Sequence, residues 1–589
     1  MAIVAQYGKL NRPVAIAGAF AFVFAALVGA TQAATIAVGV DVSQDRRAID
    51  PQIYGVNFGT TAQLSDPGYT VRRWGGNSTT RYNYQVDVHN TASDYFYLNF
   101  PTLSTSPPND STANRFLSET LASAAEPILT IGTIGWTPLG VREKRYGFAI
   151  AKYGPQLQNG APFDSAGGNG ECNVALNATG YCVDTPGNGP HLIVGNDPAD
   201  TSFVTGPDWT RQWISHLRQR HGTGANGGVR YYALDNEVML WNSTHRDVHP
   251  QPATYDEIWQ KTVAHASAIK AEEPAAQVFG PVTWGYCDLF SSAADGCLDG
   301  ADRNAHGDVP FVPWYLRQVC AHQQQTGVRL VDYLDLHYYP QGEDVIDFNS
   351  SNLAVSENAA TSAKRLRSLK ELYDPAWIAE SWFADLGDND YNHYDKPQFI
   401  RRVKAWIAAE CPGTRLAITE YNWGPDLGAS GALAQAEVLA IFGREGVDLA
   451  TRWVAPTPGS LAERAFRLFL DYDGNGARVV GDSVRALSAN VDALGAYAVD
   501  LPGQRLMLLL FNKDTQAHTA QLSLAAPLNG AWTLYRFDAG SDVAAAASGS
   551  INGSALVLAN LPPRSANLLV LPAASPGDAD IFGNGFESP

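Results

Sequence analysis

Two glutamates stand where apolar runs stop. In RYYALDNEV (230–238) a stretch of aromatic and aliphatic residues ends on Asp235, Asn236 and Glu237, and in RLAITEYNWG (415–424) an apolar run closes on Glu420. Runs of this kind, free of turn residues, predict buried strands. A facing pair of carboxylates is what hydrolysis of a glycosidic bond needs. One must stay protonated long enough to give its proton to the leaving oxygen, the other must be ionised to attack or to activate water, and their mutual repulsion separates their pKa values. A lone glutamate at a strand end is more often a salt-bridge or rim residue; two of them at the ends of two such strands point to a shared pocket.

The neighbouring residues fit the same chemistry. In LDLHYYP (334–340) His337 and Tyr339 are two apart and share one face of a strand, so both point into the site while Tyr338 points away. A tyrosine hydroxyl there donates to the nucleophile and holds it ionised; the alternative for His337 is a satisfied barrel-core histidine. Trp136, Trp241, Trp284 and Trp423 follow or flank strand ends, and flat indoles suit the apolar faces of glucose rings, although core packing explains any one of them equally well. Arg73 and Asn77 are polar candidates for sugar hydroxyls or for Glu420, and Glu380, in AESWF, is the fallback nucleophile. Asp197 and Asp200 in NDPAD suit a structural calcium, or else an Asx turn and a helix cap. Zinc chemistry lacks its His/Cys ligand cluster, and catalysis on two carboxylates requires no cofactor.

Eight strand-like runs alternate with longer, partly helical segments. The runs are 53–59, 70–76, 126–135, 230–238, 277–285, 331–340, 415–424 and 448–456, with helical patterns such as WTRQWISHLRQRH and PQFIRRVKAWIAAEC before some of them. The expected fold class is α/β, a (β/α)8 TIM barrel, whose active site lies at the C-terminal ends of the strands and so collects strand-terminating polar residues. A doubly wound sheet would want a glycine-rich phosphate turn after its first strand, and NFGTTAQ is not one. Past about residue 475 short runs such as RLMLLLFN, TAQLSLAA, GAWTLYRF, SALVLAN and SANLLVL suggest a smaller C-terminal β-sandwich domain. The organisation expected is a signal peptide (1–33), a strand (34–50) joining the sandwich, the barrel (51–475), the sandwich (476–572) and a flexible tail (573–589).

Composition and charge restrict the rest. A chain of 589 residues, 45% hydrophobic and 17% charged, can bury a catalytic core. Its formal charge of −18 opposes nucleic acid and anionic membranes. Lys9 and Arg12, the apolar run 13–29 and the small-residue exit ATQAA have the order of a secretory leader cleaved after Ala33, with a membrane anchor as the alternative. The expectation is a secreted monomer acting on a polysaccharide, free of the membrane once the leader is removed. Export makes three local disulfides the economical reading of the six cysteines, Cys172 with Cys182 and Cys287 with Cys297 among them.

The segments 73–97 (RWGGNSTTRYNYQVDVHNTASDYFY), ALDNEVMLWNSTHRDVHP, LDLHYYPQ, AESWF and ITEYNWG, in this order, resemble glycoside hydrolase family 44. The resemblance implies a retaining mechanism with Glu237 as acid/base, Glu420 as nucleophile and Asn236 holding substrate beside the cleaved bond. It implies β-1,4-glucans, carboxymethylcellulose, xyloglucan and lichenan among them, as substrates. Two features depart from the family pattern: Val238 stands where proline is usual, and the loop from about 160 to 200 is enlarged. A non-catalytic glucan-binding protein would share the aromatics without needing both glutamates, and a barrel glycosidase acting on mannan or xylan is the nearer alternative. A metal-dependent amidohydrolase would need an early His-x-His pair, which the chain lacks.

Overall fold

The computed structural model describes residues 34–176, 179–347, 353–386 and 394–573. The leader read at 1–33 and the tail from 574 onward lie outside the described residues.

Eight parallel strands close into a barrel: Gly55–Asn57, Val71–Trp74, Glu126–Ile131, Tyr231–Leu234, Gln277–Thr283, Tyr333–Tyr338, Arg415–Tyr421 and Leu449–Arg452. Each falls inside one of the eight apolar runs, and closure is made where Val56 of the first strand pairs with Arg72 of the second and Arg452 of the eighth. Inside the barrel Val71, Ile128, Tyr231, Ala233, Phe279, Val282, Tyr333, Ala417 and Leu449 form a buried apolar plug. Two residues further along several of the same strands the inward side chains turn polar: Arg73, Asp335, Thr419 and Thr451 are all wholly buried, as is Asn57. Period-two alternation carries each strand from an apolar base to a polar top, which is where the chemistry sits. The helices Pro207–His221 and Phe399–Glu410 fall on the two segments read as helical.

Between the second and fourth barrel strands the chain makes an insertion. Four short antiparallel strands lie in the order Arg145–Tyr146, Leu98–Pro101, Val88–Asn90, Tyr82–Asn83, beside a hairpin of Glu171–Leu176 and Cys182–Leu192. Tyr97, Phe148, Tyr153, Cys172, Cys182 and Ile193 give it an apolar cluster of its own.

Two short pairs, Asn159–Gly160 with Asp164–Gly168 and Trp136–Pro138 with Ser202–Val204, stand apart; the remaining strands, Arg47–Ala48 among them, form one sheet, which packs as the β-sandwich. Ala34–Asp41 pairs antiparallel with Asp482–Ser488 and parallel with the start of His518–Asp538, and Leu494–Leu501, Arg505–Asn512, Ser565–Pro572 and Ser541–Leu561 complete it. TAQLSLAA and GAWTLYRF are parts of one long strand rather than two strands, because the pairing with Ser541–Leu561 continues across the irregularity between Ser523 and Leu528. All six cysteines are paired: Cys172–Cys182, Cys287–Cys297 and Cys320–Cys411. The third bridge corrects the expectation of local pairing, since it spans 91 residues and ties the helix Phe311–Thr326 to the end of Phe399–Glu410. Among the described residues no helix is long and apolar enough to cross a membrane.

Candidate active site

The ends of the second, fourth, sixth and seventh barrel strands bring six side chains together: Arg73, Asn236, Glu237, His337, Tyr339 and Glu420. Glu420, on the seventh, is 5% exposed; its Oε1 accepts a hydrogen bond from Nη1 of Arg73 at 2.7 Å and its Oε2 accepts from the Tyr339 hydroxyl at 2.8 Å. Arg73 also donates from Nη1 to Oδ1 of Asn57 at 3.0 Å and from Nη2 to Oδ1 of Asn236 at 2.8 Å. The backbone N–H of Gly76 donates to that same Asn236 oxygen at 3.0 Å. Gly76 has to be glycine on two counts: its φ is 85°, and a Cβ there would lie 2.6 Å from the ring of Trp453.

Glu237 leaves the fourth strand with φ 47° and ψ 55°, a left-handed conformation that costs a non-glycine residue about 1 kcal/mol or more. The preceding Asp235 holds it there. That buried carboxylate accepts hydrogen bonds from the Thr80 hydroxyl, the Thr133 hydroxyl and the backbone N–H groups of Thr133, Ile134 and Asn236. Nδ1 of His337 lies 3.0 Å from Oε1 of Glu237 and 3.6 Å from Oε2 of Glu420. One ligand atom from each of Glu237, His337 and Glu420 lies within 4.8 Å of the others.

The surroundings treat the two carboxylates differently. Burial, then the charge of Glu420, pushes the Glu237 pKa well above the ordinary carboxylate range. Burial raises Glu420 too, but Arg73 and the Tyr339 hydroxyl oppose the rise by favouring its charged form. Of the coupled pair, Glu420 ionises first and Glu237 keeps the proton. Burial, with Arg73 nearby, drives His337 well below its usual pKa, so the imidazole is neutral. Beneath them burial lifts the Asp335 carboxyl to about 7.

The other residues picked from the sequence separate into two groups. Asn77 joins the site, its Oδ1 accepting from Nδ2 of Asn236 at 3.3 Å. Trp136 and Trp284 are half-buried beyond the third and fifth strands. Trp241 and Trp423 are corrections: both are buried in the core, Trp241 under Lys261 with Nε1 directed at Asp235, and Trp423 donating to the Ser368 hydroxyl at 3.0 Å. The chain turns back into the protein after each strand, which removes these rings from any cleft. Glu380 is bound by two hydrogen bonds from Arg367, at 2.8 Å each, and is not part of the pair. Asp197 caps the short helical turn Pro198–Asp200 by accepting from the Ala199 N–H, and Asp200 is engaged by Lys152 and the Tyr153 hydroxyl. With one carboxylate capping and the other neutralised by a lysine, these residues do not fit a calcium site. Sequence reasoning missed Asn57 and Trp453; both stand at the ends of barrel runs, 53–59 and 448–456, the same signal of position that picked out the two glutamates.

The family model for glycoside hydrolase family 44 matches residues 88–342. CelM2, a bifunctional glucanase-xylanase from a metagenome library, is 34% identical in a superposition with TM-score 0.83 that covers 92% of this chain and 100% of that one. A Paenibacillus polymyxa xyloglucanase of family 44 superposes with TM-score 0.72 at 26% identity, over 92% of this chain and 100% of its own. The β-mannanase/endoglucanase A of Caldicellulosiruptor saccharolyticus is 28% identical over 500 residues, 81% of this chain; the chain spans only 34% of that protein's length.

Proposed function

The chain belongs to glycoside hydrolase family 44, and from the geometry of its site we propose that it is a secreted, retaining endo-β-1,4-glucanase acting on cellulose-like glucans, xyloglucan or both. The observation that carries the proposal is the convergence of Glu237 and Glu420, with a pair of ligand oxygens within 4.8 Å. Retaining glycosidases place their carboxyl groups about 5 to 5.5 Å apart and inverting ones about 6.5 to 9.5 Å apart, because only the latter must fit a water between catalyst and sugar.

In this reading Glu420, ionised by Arg73 and Tyr339, attacks the anomeric carbon while Glu237 gives its proton to the departing glycosidic oxygen. Glu237, now a carboxylate, then takes a proton from water as that water displaces Glu420. Two inversions at one carbon leave the β configuration. Asn236, its carbonyl held by Arg73 and Gly76, has its amide for a sugar hydroxyl beside the cleaved bond, and Trp453 with half-buried Trp136 and Trp284 supplies aromatic surface for the chain. The reaction runs on side chains alone and uses no cofactor. The barrel, 51–475, is assigned the catalysis; the acidic molecule acts as a monomer outside the cell after its leader is removed, and binds neither nucleic acid nor membrane.

Relatives described as a glucanase-xylanase and a xyloglucanase support a β-1,4-linked polymer as substrate. The test uses soluble unbranched β-glucan and xyloglucan. The wild type releases reducing ends, lowers viscosity early, and gives a first product that is the β-anomer by proton NMR. Glu237→Gln and Glu420→Gln each lose several orders of magnitude while staying folded. An initial α-anomer, or either variant above about a tenth of wild-type rate on unactivated glucan, rejects the assignment.

A further inference from the structure

Three non-glycine residues in the six from Ala92 to Tyr97 have positive φ: Ala92 at 53°, Phe96 at 56° and Tyr97 at 54°. Strain of this kind persists only where the surroundings over-determine it, and it gathers at functional sites. Here the surroundings do so. The Ala92 N–H donates to Oδ1 of Asn90 at 2.9 Å, Nδ2 of Asn90 donates to the Tyr97 carbonyl at 3.1 Å, and the Thr91 hydroxyl donates to the Tyr95 carbonyl at 2.7 Å. Behind them the buried Arg81 donates to Asn90 and holds Asp247 through two bonds of 2.9 and 2.8 Å. The Tyr95 hydroxyl donates to the Gly160 carbonyl at 2.6 Å and the Tyr97 hydroxyl to the Ser243 carbonyl at 2.9 Å, so the insertion and the barrel both brace the segment.

What the braced segment presents is Asp94. Its two carboxylate oxygens accept from Nδ2 of Asn77 at 3.1 and 3.2 Å. An amide nitrogen facing a carboxylate can point only one way, so Oδ1 of Asn77 is left to accept from Nδ2 of Asn236 at 3.3 Å, while Oδ1 of Asn236 accepts from Arg73 and Gly76. Every link from Asp94 through Asn77 and Asn236 to Arg73 and Glu420 then has a single donor sense. Asp94 itself is exposed.

We propose that Asp94 is a third carboxylate of the active site, a positioning residue that fixes the amide of Asn236 through Asn77 and carries its charge within electrostatic reach of the acid/base. The proposal rests on the reading of Glu237 and Glu420 given above. Around Glu237 the facing groups are the carboxyls of Glu420, Asp94 and Asp288, the guanidinium of Arg73, the Tyr339 hydroxyl and neutral His337; burial pushes the Asp288 carboxyl well above the ordinary range, so the charges of Glu420 and Asp94 are the ones that favour the protonated form a general acid requires.

The test compares wild type, Asp94→Ala and Asp94→Asn on soluble β-1,4-glucan and on an aryl β-cellobioside whose phenolate leaves without protonation. Asp94→Ala, which loses both acceptor and charge, drops about tenfold or more in kcat on glucan. Asp94→Asn keeps an acceptor oxygen for Asn77 and recovers most of that rate, yet the basic limb of its kcat/KM profile on glucan moves to lower pH. On the aryl substrate, which needs no acid, that displacement of the basic limb disappears. A purely structural role would lower rates without moving the limb. Asp94→Ala at the wild-type rate, or an Asp94→Asn profile that superimposes on wild type, overturns the proposal. Failure of the underlying reading shows separately, as a wild-type protein that releases no reducing ends from any β-glucan, and takes this proposal with it.

Discussion

Glu420 receives two hydrogen bonds, one from the buried Arg73 and one from Tyr339, and the second can be removed without touching charge. Tyr339→Phe deletes a donor to a carboxylate, an interaction worth about 1.5 to 3 kcal/mol, so kcat on glucan falls about tenfold to a hundredfold. The sign of the pH effect follows from which form the hydroxyl favours. It stabilises ionised Glu420, so its loss raises the nucleophile's pKa, and the acidic limb of the kcat profile moves to higher pH. Burial and the charge of Glu420 keep the Tyr339 hydroxyl protonated, hence a donor, throughout the working range. An acidic limb in Tyr339→Phe that coincides with wild type would rule this role out. Glu237, Glu420, His337 and Tyr339 were legible in the sequence because strand alternation dictates which side chains share a face. Trp241 and Trp423 were not, because position past a strand end says nothing about the direction in which the chain turns next. Asp94 was invisible for a related reason: it meets Asn77 through a strained loop whose positive-φ residues leave no compositional mark.

At the scale of elements, the eight barrel strands could be read because each is a short run buried on both sides, a pattern that turn residues punctuate cleanly. The long sheet strands could not, since the Pro-Leu-Asn-Gly at 527–530 reads as a turn while the hydrogen-bonded pairing simply absorbs it as an irregularity. The cysteines behave in the same way: bridges across 10 residues are visible in spacing, and a bridge across 91 is fixed by helix packing that spacing does not encode. Loop length also ranks their contributions. In the chain-entropy account closing the two short loops stabilises by about 3 kcal/mol each, and closing the long one by about 4.5 kcal/mol. Cys320→Ala/Cys411→Ala should therefore lower the thermal midpoint more than either Cys172→Ala/Cys182→Ala or Cys287→Ala/Cys297→Ala. Scanning calorimetry of the three double variants checks the order, and a smaller loss for the 320–411 pair would show that native-state packing outweighs loop closure here.

The molecule as a whole is held together through the back of the barrel. Ala34–Asp41 begins the described chain inside the C-terminal sheet, so the barrel is strung between strands of one sheet and that sheet is completed from both sides of the barrel in sequence. Tyr497, Val499, Met507, Leu509, Phe511 and Leu568 of that sheet belong to the same apolar cluster as the barrel helices. At the seam Nζ of Lys513 lies 3.0 Å from Oε1 of Glu437, on the helix Ala429–Glu445, and the Tyr497 hydroxyl donates to the same oxygen at 3.0 Å. The Lys513 and Glu437 side chains are 3% and 1% exposed. A buried pair is a weak source of net stability, because desolvation offsets attraction, but removing one partner strands the other at a cost of about 3 to 5 kcal/mol. Lys513→Met should accordingly lower the thermal midpoint sharply, while kcat at 25 °C per folded molecule stays at the wild-type value. The double variant Lys513→Met/Glu437→Leu should regain most of the lost stability, since no charge is left buried without a partner. Thermal unfolding of the two variants side by side decides the matter: a double variant no more stable than Lys513→Met would mean that the ion pair itself, rather than the apolar contact around it, joins sheet to barrel.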